Sequence, residues 1–269
     1  MAIAKGFQEA DRRTPSVSSA LSRGLRLLSV FAEAPVWMSN SDIARRTDLP
    51  AATVARLTKS LTNMGFLHYS ASRRRFRLAS GVVRLGYGAR SETHVVESVR
   101  PHLQMVADRF GVHAALAVLD GTEALYLEVC HSSATLVTLR LEAGSRVLIA
   151  GAPVGHALLA CLDQRQREFL LNDLEHRHGS EWGVLGLEVE RGLAEIADTG
   201  YTVSLGRWHA DVQCVAVPLK PSDQTGAMSL GCGVPRGHMT VPRLKELGGD
   251  LVKLAARLSG KEDGAASIR

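Results

Sequence analysis

The side chains best suited to chemistry lie in one short stretch, and the chemistry they suit is recognition. Thr53, Arg56, Lys59 or Ser60, and Asn63 recur at three- and four-residue steps, so a helix would gather them into one polar stripe. Shortly after, Arg73, Arg74 and Arg75 stand in a row. Arginine presents a planar fork of donors that matches guanine edges and phosphate oxygens, whereas lysine offers a compact charge. Ala51 and Ala52 begin the same helical pattern with small side chains, which lets the backbone approach a groove. Arg56 is placed for a bidentate guanine contact, worth about 1–3 kcal/mol of discrimination. Lys59, Ser60 and Asn63 suit phosphates as well as bases. The three adjacent arginines suit the DNA backbone or a narrow minor groove. Ser39, Asn40 and Ser41 sit where a helix N-terminus can grip a phosphate.

Such residues need elements that aim them. Ser18 or Ser19 can cap a first helix through about Ala34, with Leu21, Leu25, Leu28 and Phe31 spaced for a buried stripe, and Pro35 stops it. Ser39 or Ser41 caps a second helix over 42–47, with Ile43 and Ala44 inward. Leu49-Pro50 makes a turn into a third helix that ends near Met64-Gly65. There Val54, Leu57, Leu61 and Met64 form the buried stripe, opposite the polar one. Residues 66–69 and 75–78 alternate as short strands around an arginine-bearing tip. This is the layout of a winged helix-turn-helix that docks on duplex DNA.

Charge points the same way. The chain has 269 residues and a net charge of +5. Residues 16–91 hold twelve Lys/Arg against three Asp/Glu, while residues 92–269 hold seventeen against twenty-two. A basic first third joined to a mildly acidic remainder fits two domains, one of which meets a polyanion. No apolar run approaches the roughly 18 residues of a membrane span. The opening residues carry no apolar stretch or cleavage site for a secretory signal. Cys130, Cys161, Cys214 and Cys232 form no CxxC pair and read as reduced thiols of a cytoplasmic protein.

The expected organisation has a disordered tail over 1–17 and a winged helix over 18–84. A linker and the start of a linker helix follow over 85–98, then a second domain over 99–260 and a disordered tail over 261–269. Glycines weaken any helix over 79–91. Beyond it, a helix over 92–110 leads to strands at 114–119, 124–129 and 136–141. Helices are expected at 154–162, 164–172 and 187–199, and strands at 202–205, 212–219 and 227–232. Leu244, Leu247, Leu251, Leu254 and Leu258 mark a closing amphipathic helix. Strands with helices before and after define an α+β domain, an antiparallel sheet with flanking helices.

Enzymatic signatures are missing. The sequence has no GxSxG elbow, P-loop or HExxH. Residues 231–237 superficially resemble a nucleotide loop, but Pro235 obstructs the helix that should follow. His176 and His178 make a pair with no third ligand nearby. No metal site, cofactor or catalytic residue is expected. Two rivals to a specific regulator remain: an architectural DNA binder without sequence preference, and a thiol-dependent enzyme built on Cys214 with an accessory winged helix.

The stretch from Ala20 to Leu85 resembles the winged-helix domain of the isocitrate lyase regulator (IclR) family of bacterial transcription factors. The resemblance rests on Ser41-Asp42-Ile43-Ala44-Arg45-Arg46-Thr47 with Leu49-Pro50, on Thr53-Val54, Arg56-Leu57 and Leu61, on Gly65-Phe66-Leu67, and on Phe76-Arg77-Leu78. Family members usually carry a polar pair where this chain has Ala51-Ala52. The second domain is similar too, through Gly144, Pro153, Gly155, the run 157–160, Gly200-Tyr201 and residues 214–218. The resemblance implies a GAF-like effector-binding domain and no catalysis. Its pocket would have Leu136 and Leu139 as one wall, Pro153 and Val154 facing a carboxylate, and Val212, Cys214, Leu230 and Cys232 opposite. Where relatives fix small keto acids with an acidic residue and two serines, this chain has Ser204, Leu230 and Cys232. The implied effector is a small organic acid, larger or aromatic rather than of two or three carbons. The implied partners are operator DNA and further copies of the chain, as a homodimer or a dimer of dimers.

Overall fold

The computed structural model describes residues 19–32, 36–91, 94–132, 141–221 and 226–260. These fall into two compact units, Met1–Thr93 and His94–Arg269. The tails expected at 1–17 and 261–269 lie outside the described residues, as do Leu136 and Leu139.

The first unit begins with helix α1 (Ser19–Ser29), α2 (Asn40–Thr47) and α3 (Ala51–Asn63). Two antiparallel strands follow, β1 (Leu67–Ser70) and β2 (Arg75–Leu78), with Leu67 opposite Leu78. Their core joins Leu27, Phe31, Met38, Ile43, Val54, Leu67 and Phe76. Met38 exchanges backbone hydrogen bonds with Phe76, tying the segment before α2 to the second strand.

Only the C-terminal half of the stripe expected for α1 is buried: Leu28 and Phe31 pack on the core as expected, joined by Leu27. Leu27 and Phe31 are buried, whereas Leu21 and Leu25 are 61 % and 48 % exposed. Met64, expected in the core, is exposed just past the end of α3, where the helical register that would turn it inward has stopped. Residues 79–91 are not a weak linker: helix α4 spans Ser80–Ser91. Gly81 is needed there, because a Cβ would fall 2.5 Å from the Gly65 carbonyl oxygen that accepts from its own amide. The glycine read as a helix breaker permits a close approach.

The second unit opens with α5 (His94–Phe110), which accommodates Pro101 in its interior, and β3 (His113–Asp120). Next come β4 (Glu123–His131), β5 (Arg146–Leu148), α6 (Pro153–Cys161), α7 (Gln164–His178) and α8 (Trp182–Thr199). Strands β6 (Thr202–Leu205), β7 (Val212–Leu219) and β8 (Met228–Pro235) precede the closing helix α9 (Val241–Leu258). The six strands form one antiparallel sheet in the order β5-β4-β3-β8-β7-β6. The edge strand beside β4 is thus Arg146–Leu148. The strand expected at 136–141 falls almost wholly outside the described residues.

Alternation along the strands builds two cores. Leu116, Val215, Val217 and Leu230 face α5 and α9, whose Leu103, Leu244, Leu247 and Leu251 close that side. Ala115, Ala117, Tyr126 and Ala216 face α6, which α8 backs through Val189. Helix α6 is seated very tightly: a Cβ on Gly155 would lie 2.1 Å from the Ile149 carbonyl oxygen, and one on Gly231 would lie 2.4 Å from Val154.

Candidate nucleic-acid interface and ligand cavity

On the first unit, α3 presents Arg56, Lys59, Ser60 and Asn63 to solvent, with Thr53 half-buried at its first turn. The residues before and within α2 are already partly engaged. Ser39 caps α2 reciprocally with Asp42: the Asp42 amide donates to Ser39 Oγ at 3.2 Å, and the Ser39 amide donates to Asp42 Oδ2 at 3.1 Å. The Ser39 hydroxyl also donates to Asp42 Oδ2 at 2.7 Å, and that bond, with the one from the Ser39 amide, holds the Asp42 carboxyl below its ordinary range. Asn40 Oδ1 accepts from the Thr58 hydroxyl at 3.2 Å, which fixes the start of α2 against the middle of α3. Ser41 is exposed.

The three wing arginines are not equivalent. Arg75 Nη1 donates to the Trp37 carbonyl at 3.2 Å and stands 3.8 Å from Asp42 Oδ2, so it braces the wing against α2. The Arg73 guanidinium lies 5.2 Å from the Trp37 ring centroid, and Arg77 lies 5.3 Å from it. Arg74 sits at the tip in the left-handed region, with φ 51°. Trp37 and Thr58 were not singled out in the sequence. A tryptophan beside a basic hairpin is a usable signal for stacked arginines. Thr58 sits one turn past Val54, inside the buried stripe, and its hydroxyl shares its one hydrogen between Asn40 Oδ1 and the Val54 carbonyl, 3.0 Å away.

The second unit carries a partly open apolar cleft, with about 520 Å³ of space when the open solvent at its mouth is included. It lies on the α6 side of the sheet. The structure brings Pro153, Val154, Val212, Cys214 and Cys232 to its border. Two expected residues are elsewhere. Leu230 is fully buried in the core facing α5 and α9, because alternation along β8 turns it to the far side of the sheet. Cys232 packs in that same core, although its stretch of β8 borders the cavity. Ser204 does not line the cavity either. Its hydroxyl accepts the amides of Arg207 and Trp208, both at 3.1 Å, and so holds the turn that carries Trp208 into the wall.

Residues that the sequence did not assign to a ligand site complete the lining: His113, Ala115, Tyr126, Val129, Leu141, Trp208, Gly231 and Gly233 among them. Strand residues declare their face only once register is known. The electrostatics are those of an uncharged interior. Burial pushes the Cys214 thiol up to about 12, and raises Cys232 and the Tyr126 phenol further. A thiol held protonated is no nucleophile at neutral pH, which opposes the thiol-enzyme alternative. His156 lies away from the cavity. Its Nε2 donates to the Ala150 carbonyl at 2.9 Å, and its ring packs on Gly192.

A winged helix with an exposed basic recognition stripe, joined to an α+β unit with an apolar cavity, defines a ligand-responsive DNA-binding regulator. Residues 20–71 match the IclR helix-turn-helix domain and residues 88–260 the bacterial transcriptional regulator IclR C-terminal domain, so the chain belongs to the IclR family of transcriptional regulators. Members of this family bind operator DNA and small-molecule effectors. The chain is 29 % identical over 203 residues to the HTH-type transcriptional regulator TsaQ1/TsaQ2 of Comamonas testosteroni, covering 75 % of this chain and 73 % of that one. Its fold matches an IclR family regulator from Brucella abortus with a TM-score of 0.80 at 32 % identity, over 92 % and 94 % of the two chains. An IclR homologue from Microbacterium hydrocarbonoxydans, solved with 4-hydroxybenzoate, matches with a TM-score of 0.75 at 25 % identity, over 92 % and 100 %. The relatives are regulators of transcription, and the chain is a regulator rather than an enzyme.

Proposed function

We propose that this chain sets transcription by letting an aromatic organic acid, bound on the α6 side of the sheet, change the grip of its winged helices on an operator. The observation that carries the effector class is the lining of the cavity. Its walls are almost entirely apolar and include two aromatic rings, Tyr126 and Trp208, which reward a flat apolar body more than a two- or three-carbon acid. Pro153 and Val154, at the start of α6, face the carboxylate. Val212, Cys214 and the stretch of β8 at Cys232 flank the ring; Leu136 and Leu139, expected in the same wall, lie outside the described residues. The 4-hydroxybenzoate in the Microbacterium homologue supports an acid of this kind.

In the DNA complex, Thr53, Arg56, Lys59, Ser60 and Asn63 enter the major groove, while Ser41 and the wing arginines Arg73 and Arg74 meet the backbone. Ser39, Asn40 and Arg75 position these groups from within the fold. One winged helix reads one half-site, so operator affinity needs a homodimer on a pseudo-palindrome. The exposed Leu21 and Leu25, one turn apart on α1 beside Arg23, are the face for that dimer; pairing of second units would make a tetramer. The four free, buried cysteines suit a reducing cytoplasm. Control is a population shift, in which the acid favours one arrangement of the paired winged helices over another.

A gel shift on DNA upstream of the chain's own and neighbouring genes, with a panel of organic acids, tests this. A discrete complex on one fragment that outcompetes random DNA, and that an aromatic acid strengthens or weakens, is expected. Equal affinity for every fragment makes the protein an architectural binder instead.

A further inference from the structure

One buried nitrogen bordering the cavity of the second unit, His113 Nε2, has no hydrogen-bond partner among the described residues. His113, at the start of β3, is 4 % exposed and lines the cavity. Its Nδ1 stands 2.7 Å from Nδ1 of His131, the residue opposite it in the β3–β4 register. The two rings meet edge to face with centroids 4.7 Å apart. Its Nε2 is buried and makes no hydrogen bond among the described residues. Nitrogens so placed are rarely left unpaired, because burial without a partner forfeits their bonds to water.

The contact between the two Nδ1 atoms needs a single hydrogen between them. When His131 supplies it, His113 carries its own hydrogen on Nε2 and donates into the cavity. When His113 supplies it, its Nε2 is a bare acceptor. The pair can therefore meet a donor or an acceptor, and a hydroxyl is both. Burial, aided by the neighbouring imidazole, holds His113 below the usual histidine range, so it is neutral and suits an uncharged group. The charged end of a ligand has a different place to go. Helix α6 begins at Ala152 with no side-chain cap, and Pro153 and Val154 border the same cavity. Pro153 has no amide hydrogen and the Gly155 amide bonds the Ala152 carbonyl, so the Val154 amide and the helix dipole are what favour an anion there.

We propose that the cavity takes a hydroxylated aromatic acid whose hydroxyl bonds His113 Nε2 while its carboxylate meets the start of α6. This rests on the reading of the chain as a regulator that senses an aromatic acid. The test is isothermal titration of the full-length protein with benzoate and with 2-, 3- and 4-hydroxybenzoate. At least one hydroxy acid should bind about ten-fold tighter than benzoate. In His113→Phe, benzoate binding should persist and the ten-fold gap should vanish. For a variant that fails to fold, the wild-type protein labelled with ¹⁵N-histidine answers instead: the hydroxy acid should move the His113 Nε2 resonance, and benzoate should leave it in place. No gap in the wild type, a gap that survives in His113→Phe, or an unmoved Nε2 resonance overturns the assignment to His113 alone. Failure of all four acids to bind overturns the aromatic-acid reading and this inference with it.

Discussion

The two units put their working residues in opposite environments. On the winged helix, Arg56, Lys59, Ser60 and Asn63 face water on a stripe whose reverse side is core. In the second unit, the candidate ligand groups are buried among residues of the same types that fill the cores on both faces of the sheet. Any solvated helix face is polar, but a basic stripe on the helix after the Leu49-Pro50 turn, beside an arginine-tipped hairpin, announces a partner. A buried apolar lining announces nothing, because it obeys the rules that packing obeys. The contrast predicts that substitutions on the first surface act on affinity, while those around the cavity act on stability as well.

The largest expected effect lies under the cavity. Gly155→Ala places a methyl 2.1 Å from the Ile149 carbonyl oxygen, a backbone atom that cannot swing aside. Helix α6 must lift off the sheet, at a cost of about 3 kcal/mol or more, comparable with severe overpacking. Urea unfolding of the full chain should show the second unit melting earlier, and titration should show that the cavity no longer binds. An unchanged midpoint would mean that α6 is not seated as described. By contrast, Arg56→Ala should leave both melting transitions in place and weaken operator binding by about 1–3 kcal/mol. Random DNA should be affected far less. Equal weakening on both DNAs would make Arg56 a phosphate contact and blunt the distinction between reading and gripping.

How much of this was legible in the sequence follows the same divide. The polar stripe, the Leu49-Pro50 turn and the wing were readable because helical periodicity fixes which side each residue takes. Even there, the first helix was half misread: Phe31 is buried and Leu28 packs on the core as expected, but a leucine-rich stretch fits several stripes, and only packing chose Leu27 over Leu21 and Leu25. In the second unit, the strands were readable but their faces were not. Leu230 and Gly231 are neighbours in sequence, yet one enters the α5/α9 core and the other faces Val154. A shift of one residue in register exchanges them. His113 and His131 could not be paired from sequence, since only the antiparallel register of β3 and β4 brings them together. Glycines misled for a related reason. Gly81 lies in a stretch whose glycines read as weakening a helix, but it marks a backbone contact that only the tertiary structure supplies, as Gly155 does under α6.

Acid should separate the two units. His156 and His113 both titrate below the usual histidine range, chiefly because burial disfavours their charged forms. The unfolded chain therefore binds protons that the folded one refuses. Their contribution to stability is complete above about pH 6.5 and is lost as the pH falls below it. Asp42, on the winged helix, is also held low, through its bonds with Ser39. Its contribution is present above its ordinary value of 3.8 and is lost only as pH falls through its lower folded value. Thermal melts between pH 7.5 and 4.5 should thus lower the transition of the second unit first. His156→Gln should flatten that slope. Joint decline of both transitions, or a second unit that gains stability in acid, would contradict the neutral burial of these rings.

The smallest expected effect probes the winged helix where it departs from a simple charged surface. Trp37 carries two guanidinium groups, Arg73 and Arg77, over its ring and gives its carbonyl to Arg75. The tryptophan adds no charge, so its role is to hold three charges in a fixed array before DNA arrives. Preorganised side chains lose less conformational freedom on binding. Trp37→Ala keeps the backbone carbonyl and every arginine but removes the platform for two of them. Each such stack is worth about 0.5–1 kcal/mol where solvent reaches it, and only the share that preorganises the array counts toward binding, so operator affinity should fall by about three- to ten-fold. Because the charges remain, the slope of log affinity against log salt should stay as it was. Arg74→Ala, which deletes a charge at the tip, should instead lower that slope by about one unit for each phosphate the tip ceases to neutralise. Trp37→Phe retains a ring face and should recover part of the affinity. A steep fall in the salt slope for Trp37→Ala would show that the ring holds the arginines in place outright, and that without it the wing no longer reaches the phosphates.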